Sequence, residues 1–176
     1  MRDNKGVTLM SLIVTIVAMV ILISVVGYFS IETIKNSHVA NEKKEMADVV
    51  EYTAVRKAKL LIDEFDVSDI YGESVITTEA LYLVGSGIPE NGINRIIEVN
   101  SASALDDNYK YIYVTADKLN NESISSGNVI VKDAKNNYII NFFTGTVIAL
   151  YDLGERVEIS GTVKGLSEIM SEVNGL

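Results

Sequence analysis

The sequence has almost none of the residues on which enzymes that use His or Cys rely. Its 176 residues include no Cys, no Trp, one Pro and one His. Without Cys, disulfides and thiolate zinc sites are excluded. The single imidazole, His38, lies in a polar segment, where an exposed surface position is expected rather than a metal ligand or a general base. We therefore predict that the chain is not an enzyme and needs no cofactor.

Positive charge is also scarce. The chain carries 15 Lys and Arg against 24 Asp and Glu, which gives a formal net charge of −9. Because nucleic-acid binding needs a basic surface, direct binding of nucleic acid is not predicted. The acidic stretch "DEFDVSD" at residues 63–69 offers oxygen ligands of the kind that Ca²⁺ prefers. Its spacing is not that of an EF-hand, so a solvated helix end is the favoured interpretation and no metal site is predicted.

Charge is absent altogether from residues 7–31. As a helix, this segment would rise roughly 37 Å, enough to cross a hydrocarbon core of about 30 Å. A cleaved secretory signal is disfavoured because it has a shorter apolar core and a small-residue cleavage site after it. Arg2 and Lys5 precede the segment, which predicts a single-pass protein in the cell membrane with its N-terminus in the cytoplasm.

The helical pattern continues beyond the uncharged segment. Residues 32–66 contain no Pro or Gly, and their apolar side chains recur every three or four positions from Met46 onward. One helix is therefore predicted from about Val7 to about Phe65. Gly27 is the only helix-weakening residue in residues 7–31, and it marks either a local loosening or a close contact with a neighbouring helix.

Extended segments dominate residues 67–176, which we expect to form a β-rich extracytoplasmic domain. Six runs are rich in β-branched and aromatic residues and are separated by short turn signals, as in antiparallel hairpins. The runs are "RIIEV" (95–99), "KYIYVT" (110–115), "NVIVKD" (128–133), "NYIINFF" (137–143), "TVIALY" (146–151) and "RVEIS" (156–160). Of two further stretches, "TTEALYLVG" (77–85) is typical of a short helix or a turn and "LSEIMSEV" (166–173) of a short terminal helix.

These segments together predict an α+β fold. Its long N-terminal helix would be membrane-spanning in the first half and amphipathic in the second, with the second half packed on a small antiparallel β-sheet. Without that helix, one face of the sheet would be bare.

The N-terminal motif "KGVTLMSLIVTIVAMVILI" resembles the class III leader of type IV pilins and pseudopilins. In that family a short basic leader ends in Gly, and a hydrophobic residue, Thr-Leu and an unbroken apolar helix follow. "NYIINFFTGTVIAL" (137–150) and, before it, "VTADKLNN" (114–121) resemble the late hairpin region of Gram-positive members.

The resemblance implies a pilin-like fold and a mechanism of assembly. Residues 1–6 would be the prepilin leader, and a prepilin peptidase would cut between Gly6 and Val7 and usually methylate the new amine of Val7. The subunit would then leave membrane lipid, with the help of a membrane assembly platform, and join other pilin subunits in an extracellular filament. Such a protein is a structural subunit of a type IV pilus-like or type II secretion-like filament.

The sequence departs from the family at one position. The family usually carries Glu at the fifth residue after the cut, where this chain has Ser11. A serine hydroxyl cannot neutralise the amine of a preceding subunit. Either the chain is a minor subunit that starts a filament, which we favour, or its filament tolerates the loss. An uncleaved, signal-anchored binding module at the cell surface is the alternative.

Overall fold

The computed structural model describes residues 5–62, 64–72, 74–125, 131–151 and 157–176, and the side chains of these apart from 5–13, 20–35 and 123–125. The chain divides into two compact units, Met1–Lys44 and Glu45–Leu176, which we call the stem and the head. The helices are α1 (Lys5–Leu60), α2 (Val67–Tyr71), α3 (Thr78–Val84), α4 (Glu90–Asn100), α5 (Ala116–Ser125) and α6 (Leu166–Val173). The strands are β1 (Ile112–Val114), β2 (Asn137–Asn141), β3 (Thr146–Leu150) and β4 (Val157–Ser160).

The predicted membrane-spanning helix is the main error in the predicted fold. Among the described residues, no helix is long and apolar enough to cross a membrane. The apolar part of α1 whose side chains are described is residues 14–19, which rise only about 9 Å against a hydrocarbon core of about 30 Å. The membrane-spanning half of the predicted architecture is therefore not supported.

The head contains a four-stranded antiparallel sheet in the order β1-β2-β3-β4. Ile139 of β2 lies opposite Ile148 of β3, which in turn lies opposite Ile159 of β4. Four residues, 142–145, join β2 to β3, and the amide of Gly145 donates to the carbonyl of Asn141 at 2.9 Å. Gly145 has φ of 78°, a left-handed conformation that glycine adopts without a steric penalty.

Four of the six predicted strands are confirmed, namely those that contain β1, β2, β3 and β4. The prediction for residues 95–99 is wrong, because they belong to α4, which begins directly after Pro89. Its buried residues Gly92, Ile96 and Val99 recur every three or four positions, so the apolar pair Ile96–Ile97 is part of a helical stripe. The strand predicted at residues 128–133 is not found at residues 131–133, and residues 128–130 lie outside the described part.

The short helix or turn predicted before Gly85 is a helix, α3, and the short helix predicted at the C-terminus is confirmed as α6. Both have polar starts: the Thr77 hydroxyl accepts from the amide of Ala80 at 3.2 Å, and the Glu168 carboxylate accepts from the amide of Gly165 at 2.7 Å. These contacts satisfy donors that a helix start leaves without intrahelical partners.

The core of the head lies around one face of α1 and the two middle strands. Met46, Val49, Tyr52 and Leu60 of α1 are buried, and their spacing of three, three and eight places them on one side of the helix. All five residues of β3 are buried, so this strand is covered on both faces of the sheet. The head therefore has a helix-on-sheet core in which β3 is central.

Ile148→Ala tests this arrangement because Ile148 is fully buried in the middle of β3. We expect the free energy of unfolding of the full chain to fall by about 2–5 kcal/mol, since the substitution removes buried methyl groups and leaves a cavity. Urea unfolding followed by circular dichroism measures the change. The matched control is Ile159→Ala, at the opposing position in β4, where the side chain is 38% exposed. Equal losses for both variants would contradict a core centred on β3.

Candidate functional site

The predicted processing residues lie at the start of α1 or before it. Lys5, Gly6, Val7, Ser11 and Gly27 fall within the helical backbone of α1, but the side chains of this part of α1 lie outside the described set. Arg2 lies outside the described residues altogether. Cleavage, N-methylation, the leader charge, the role of Ser11 and a loosening at Gly27 all stay predictions.

The described part of the stem exposes apolar side chains. Val14, Ile16, Val17 and Met19 are between 52% and 61% exposed. Side chains of this kind gain free energy when an apolar neighbour covers them. His38, farther along the stem, is exposed, which confirms the prediction made for it.

In the head, Arg56 is a cation within the buried face of α1. It is 6% exposed and forms an ion pair with Glu122 of α5. Its guanidinium also lies 5.2 Å from the ring centre of Tyr52 and 5.1 Å from that of Phe65. A buried cation is retained only where a carboxylate and further contacts offset its lost hydration. Arg56 therefore fixes α5 to α1.

An aromatic cluster adjoins this ion pair. The hydroxyls of Tyr52 and Tyr71 are 2.6 Å apart, and the ring of Phe142, from the turn between β2 and β3, stacks on Tyr71 at 5.5 Å. Lys118 of α5 donates to the carbonyl of Tyr71 and to Ser74 Oγ, the latter at 2.7 Å. The cluster joins α1, α2 and α5 through hydrogen bonds, and joins them to the turn between β2 and β3 through ring stacking.

Burial changes the ionisation of four tyrosines in the head. It is the largest cause that raises the pKa of Tyr52 and Tyr71, and Arg56 nearby only partly opposes it. Burial also raises the pKa of Tyr111 to about 12. Burial, followed by the Glu45 carboxylate, raises the pKa of Tyr138. Because all four shifts favour the neutral phenol, these groups act as hydrogen-bonding and packing residues at neutral pH.

Glu45, the first residue of the head, holds the segment that enters β2. Its Oε1 accepts from the amides of Lys135 and Asn136 at 3.1 and 3.0 Å, from the side-chain amide of Asn136 at 3.3 Å and from the Tyr138 hydroxyl at 2.8 Å. Asn120 of α5 holds the same segment from another side, through both the amide and the carbonyl of Ala134. These bonds set where β2 begins.

Among the described residues, no group of three His, Cys, Asp or Glu side chains is placed to hold a metal ion. In the acidic stretch, the Asp66 carboxylate accepts from the amide of Ser68 at 2.7 Å and so caps α2. That backbone hydrogen bond is the largest cause that lowers the pKa of Asp66. Asp63 lies outside the described residues. In the described part of this stretch, Asp66 therefore serves as a helix cap.

Sequence reasoning missed the Arg56–Glu122 pair and the bonds of Glu45. One signal for Arg56 was present: a cation lies four residues after Tyr52 and four before Leu60, within the apolar stripe of a helix. Its partner was not detectable, because the pattern did not predict α5. In the sequence, nothing distinguishes Glu45 from the charged residues Lys43 and Lys44 that precede it.

Comparisons with known proteins identify no relative. No protein family, no curated protein and no solved structure matches the chain.

Replacing Arg56 with Met should strongly destabilise the head, because Glu122 would then be a largely buried charge without its cation. We expect the free energy of unfolding to fall by about 3–5 kcal/mol. The matched control is Lys164→Met, which breaks the more exposed pair with Glu172 and should cost no more than about 1 kcal/mol. Urea titration of both full-length variants measures the two values. Similar small losses would show that Arg56 does not fix α5.

The buried tyrosines should make the head sensitive to high pH. Unfolded tyrosine has a pKa of about 10, and the folded pKa of Tyr71 is higher. Above pH of about 10 the unfolded state therefore binds fewer protons than the folded state, and the free energy of unfolding falls as pH rises. Tyr71→Phe should make this fall less steep by up to about 1.4 kcal/mol per pH unit.

Urea unfolding at a series of pH values between neutral and strongly alkaline measures that slope. Tyr82→Phe is the control, because the Tyr82 side chain is 63% exposed, and it should keep the slope of the parent chain. A Tyr71→Phe slope that equals the parent slope would contradict the role of burial at Tyr71.

Proposed function

We propose that this chain is a structural subunit, and a minor one, of a type IV pilus-like or type II secretion-like filament. The single observation that carries the proposal is the position of Gly6, between a basic leader and 25 residues that contain no charge. Gly6 lies in the first turn of α1, and glycine can leave the helix there for the extended backbone that a peptidase needs at its cut. The residues beyond it suit an apolar environment. Its partners would be a prepilin peptidase, which cuts the leader, and a membrane assembly platform, which adds the subunit to the filament.

The division of the chain into two units supports the same proposal. The stem exposes apolar side chains at residues 14–19, and the head encloses its own core. In a filament, apolar helices gain van der Waals contacts by packing on each other, and the heads form a coat outside them. Other subunits of the filament are therefore the partners that would cover the stem, in an extracellular filament.

Ser11 supports the assignment to a minor subunit. Cleavage before Val7 would create a positive amine, and burying it without a partner costs several kcal/mol. Ser11 offers a hydroxyl in place of a carboxylate, and residues 7–31 contain no carboxylate that would replace it. A subunit at the start of a filament has no preceding amine to neutralise, so Ser11 carries no penalty there.

Gly6→Leu tests the proposal directly. In cells that contain a working prepilin peptidase, we expect the parent chain to lose residues 1–6, with or without a methyl group on Val7. Gly6→Leu should keep its leader, because the added side chain blocks the cut. The intact mass of the purified protein measures both outcomes.

Gly27→Leu is the matched control, since it makes the same substitution at the other glycine of α1 and should leave cleavage unchanged. A parent chain with an uncut N-terminus in such cells would overturn the proposal and favour a surface binding module instead. Cleavage that is indifferent to Gly6→Leu would overturn it as well.

A further inference from the structure

The described surface of the head is strongly acidic. Twelve of its carboxylate side chains are exposed, whereas only two of its described cations, Lys132 and Lys135, are. The exposed carboxylates belong to Glu51, Glu64, Asp66, Asp69, Glu79, Glu90, Glu98, Asp106, Asp117, Asp133, Glu168 and Glu172. An excess of this size creates a negative potential over the surface of the head.

Most other cations of the head are engaged inside it. Arg56 pairs with Glu122, Lys110 with Asp107, and Lys164 with Glu172. The remaining contacts are those of Lys57 with the carbonyl of Thr144, Arg95 with the carbonyl of Val163, and Lys118 with Tyr71 and Ser74. Glu168 pairs with Arg95 at 3.6 Å and Glu172 with Lys164, so ten of the twelve exposed carboxylates have no ion pair with a described residue.

Residues 36–44 of the stem carry a small excess of positive charge, two Lys against one Glu. In residues 36–44 of α1, every side chain is exposed apart from the partly buried Val39 and Glu42. Lys43 and Lys44 are both exposed, and the structure shows no ion pair between either of them and a described residue. Adjacent residues on a helix point about 100° apart, so Lys43 and Lys44 present their ammonium groups in two directions, with the partly buried Glu42 next to them.

We propose that residues 36–44 of one copy dock on the acidic head surface of a second copy. The argument rests on charge complementarity between a stem segment with two exposed cations and a head with a large excess of exposed carboxylates. Because the two surfaces differ, the contact is heterologous, and a heterologous contact whose rotation does not close produces an open helical filament. The inference rests on the proposed filament function and adds which surfaces meet.

A cross-linking experiment identifies the surface that residues 36–44 contact. Because the chain contains no Cys, Asn41→Cys provides one attachment point for a photoreactive cross-linker at an exposed stem position. Assembled full-length chains are prepared as an equal mixture of ordinary and ¹⁵N-labelled copies, so that mass spectrometry separates links between copies from links within one copy. We expect inter-copy links from position 41 to peptides of residues 45–176. Inter-copy links only to residues 7–44, or none, would overturn the inference.

Charge reversal tests the electrostatic cause. We expect the double variant Lys43→Glu/Lys44→Glu, combined with Asn41→Cys, to reduce the inter-copy links to the head by about tenfold, and raised salt to weaken the parent links in the same direction. The control, Lys132→Glu/Lys135→Glu, makes the same change of charge at the two exposed head lysines and should keep its links within about twofold of the parent level. Equal effects of the two double variants would overturn the inference.

Leader cleavage of each variant separates this inference from the proposed function. If residues 1–6 are removed and filaments form, yet position 41 never links to another head, the docking inference fails and the filament function stands. If the leader of the parent chain stays intact in cells with a working peptidase, the proposed function itself fails. Circular dichroism shows whether each variant retains the fold of the parent.

Discussion

The head depends on one constraint: α1 must bury a face that contains polar groups as well as apolar ones. Met46, Val49, Tyr52 and Leu60 supply apolar surface, whose removal from water is the main source of stability. Arg56 lies within the same face at 6% exposure. Apolar residues alone are compatible with many arrangements of the sheet. A buried guanidinium is compatible only with arrangements that place a carboxylate next to it. The position of α5, which carries Glu122, follows from that requirement.

Glu45 imposes a similar requirement about three turns of helix earlier. One carboxylate oxygen receives two backbone amides, one side-chain amide and one phenol, so the segment before β2 has few alternative positions. A strand that shifts by one residue would turn its buried side chains to the other face of the sheet. The hydrogen bonds of Glu45 therefore favour the observed register through polar contacts. The buried pair formed by Ile139 of β2 and Ile148 of β3 favours the same register through packing.

The sequence was sufficient for the parts of the fold that depend on local pattern. Strands β2 and β3 were predictable because runs of β-branched residues flank the Thr144-Gly145 turn, and α6 because its apolar residues recur at helical spacing. Residues 95–99 were misassigned because a short apolar run fits both a strand and a buried helix face, and the start set by Pro89 decided between them. The membrane-spanning half was inferred from the lack of charge in residues 7–31, a property of composition, whereas no helix among the described residues is long and apolar enough to cross a membrane.

The contacts that organise the head were beyond prediction for a different reason. Arg56 and Glu122 are 66 positions apart, and Glu45 and Tyr138 are 93 apart, so no local period connects them. An ionisable residue has the same appearance in a sequence whether it is solvated or buried, and only the fold distinguishes Glu45 from the exposed Glu51. The proposed processing motif is the opposite case, because Lys5, Gly6 and Val7 are adjacent in the chain and a local sequence pattern is enough to predict it.

Charged residues are used differently inside the head and on its surface. Inside the head, cations are used to hold helices and turns, and the carboxylates that remain exposed exceed the exposed cations sixfold among the described residues. The excess negative charge of one head repels the negative charge of another, so two heads do not associate through their acidic surfaces alone. Association of copies requires either apolar surface, which residues 14–19 of the stem expose, or positive charge, which Lys43 and Lys44 provide on the same helix. In the proposed filament, the stem would contribute both kinds of surface from one helix, and the acidic head of the next copy would contribute the carboxylates.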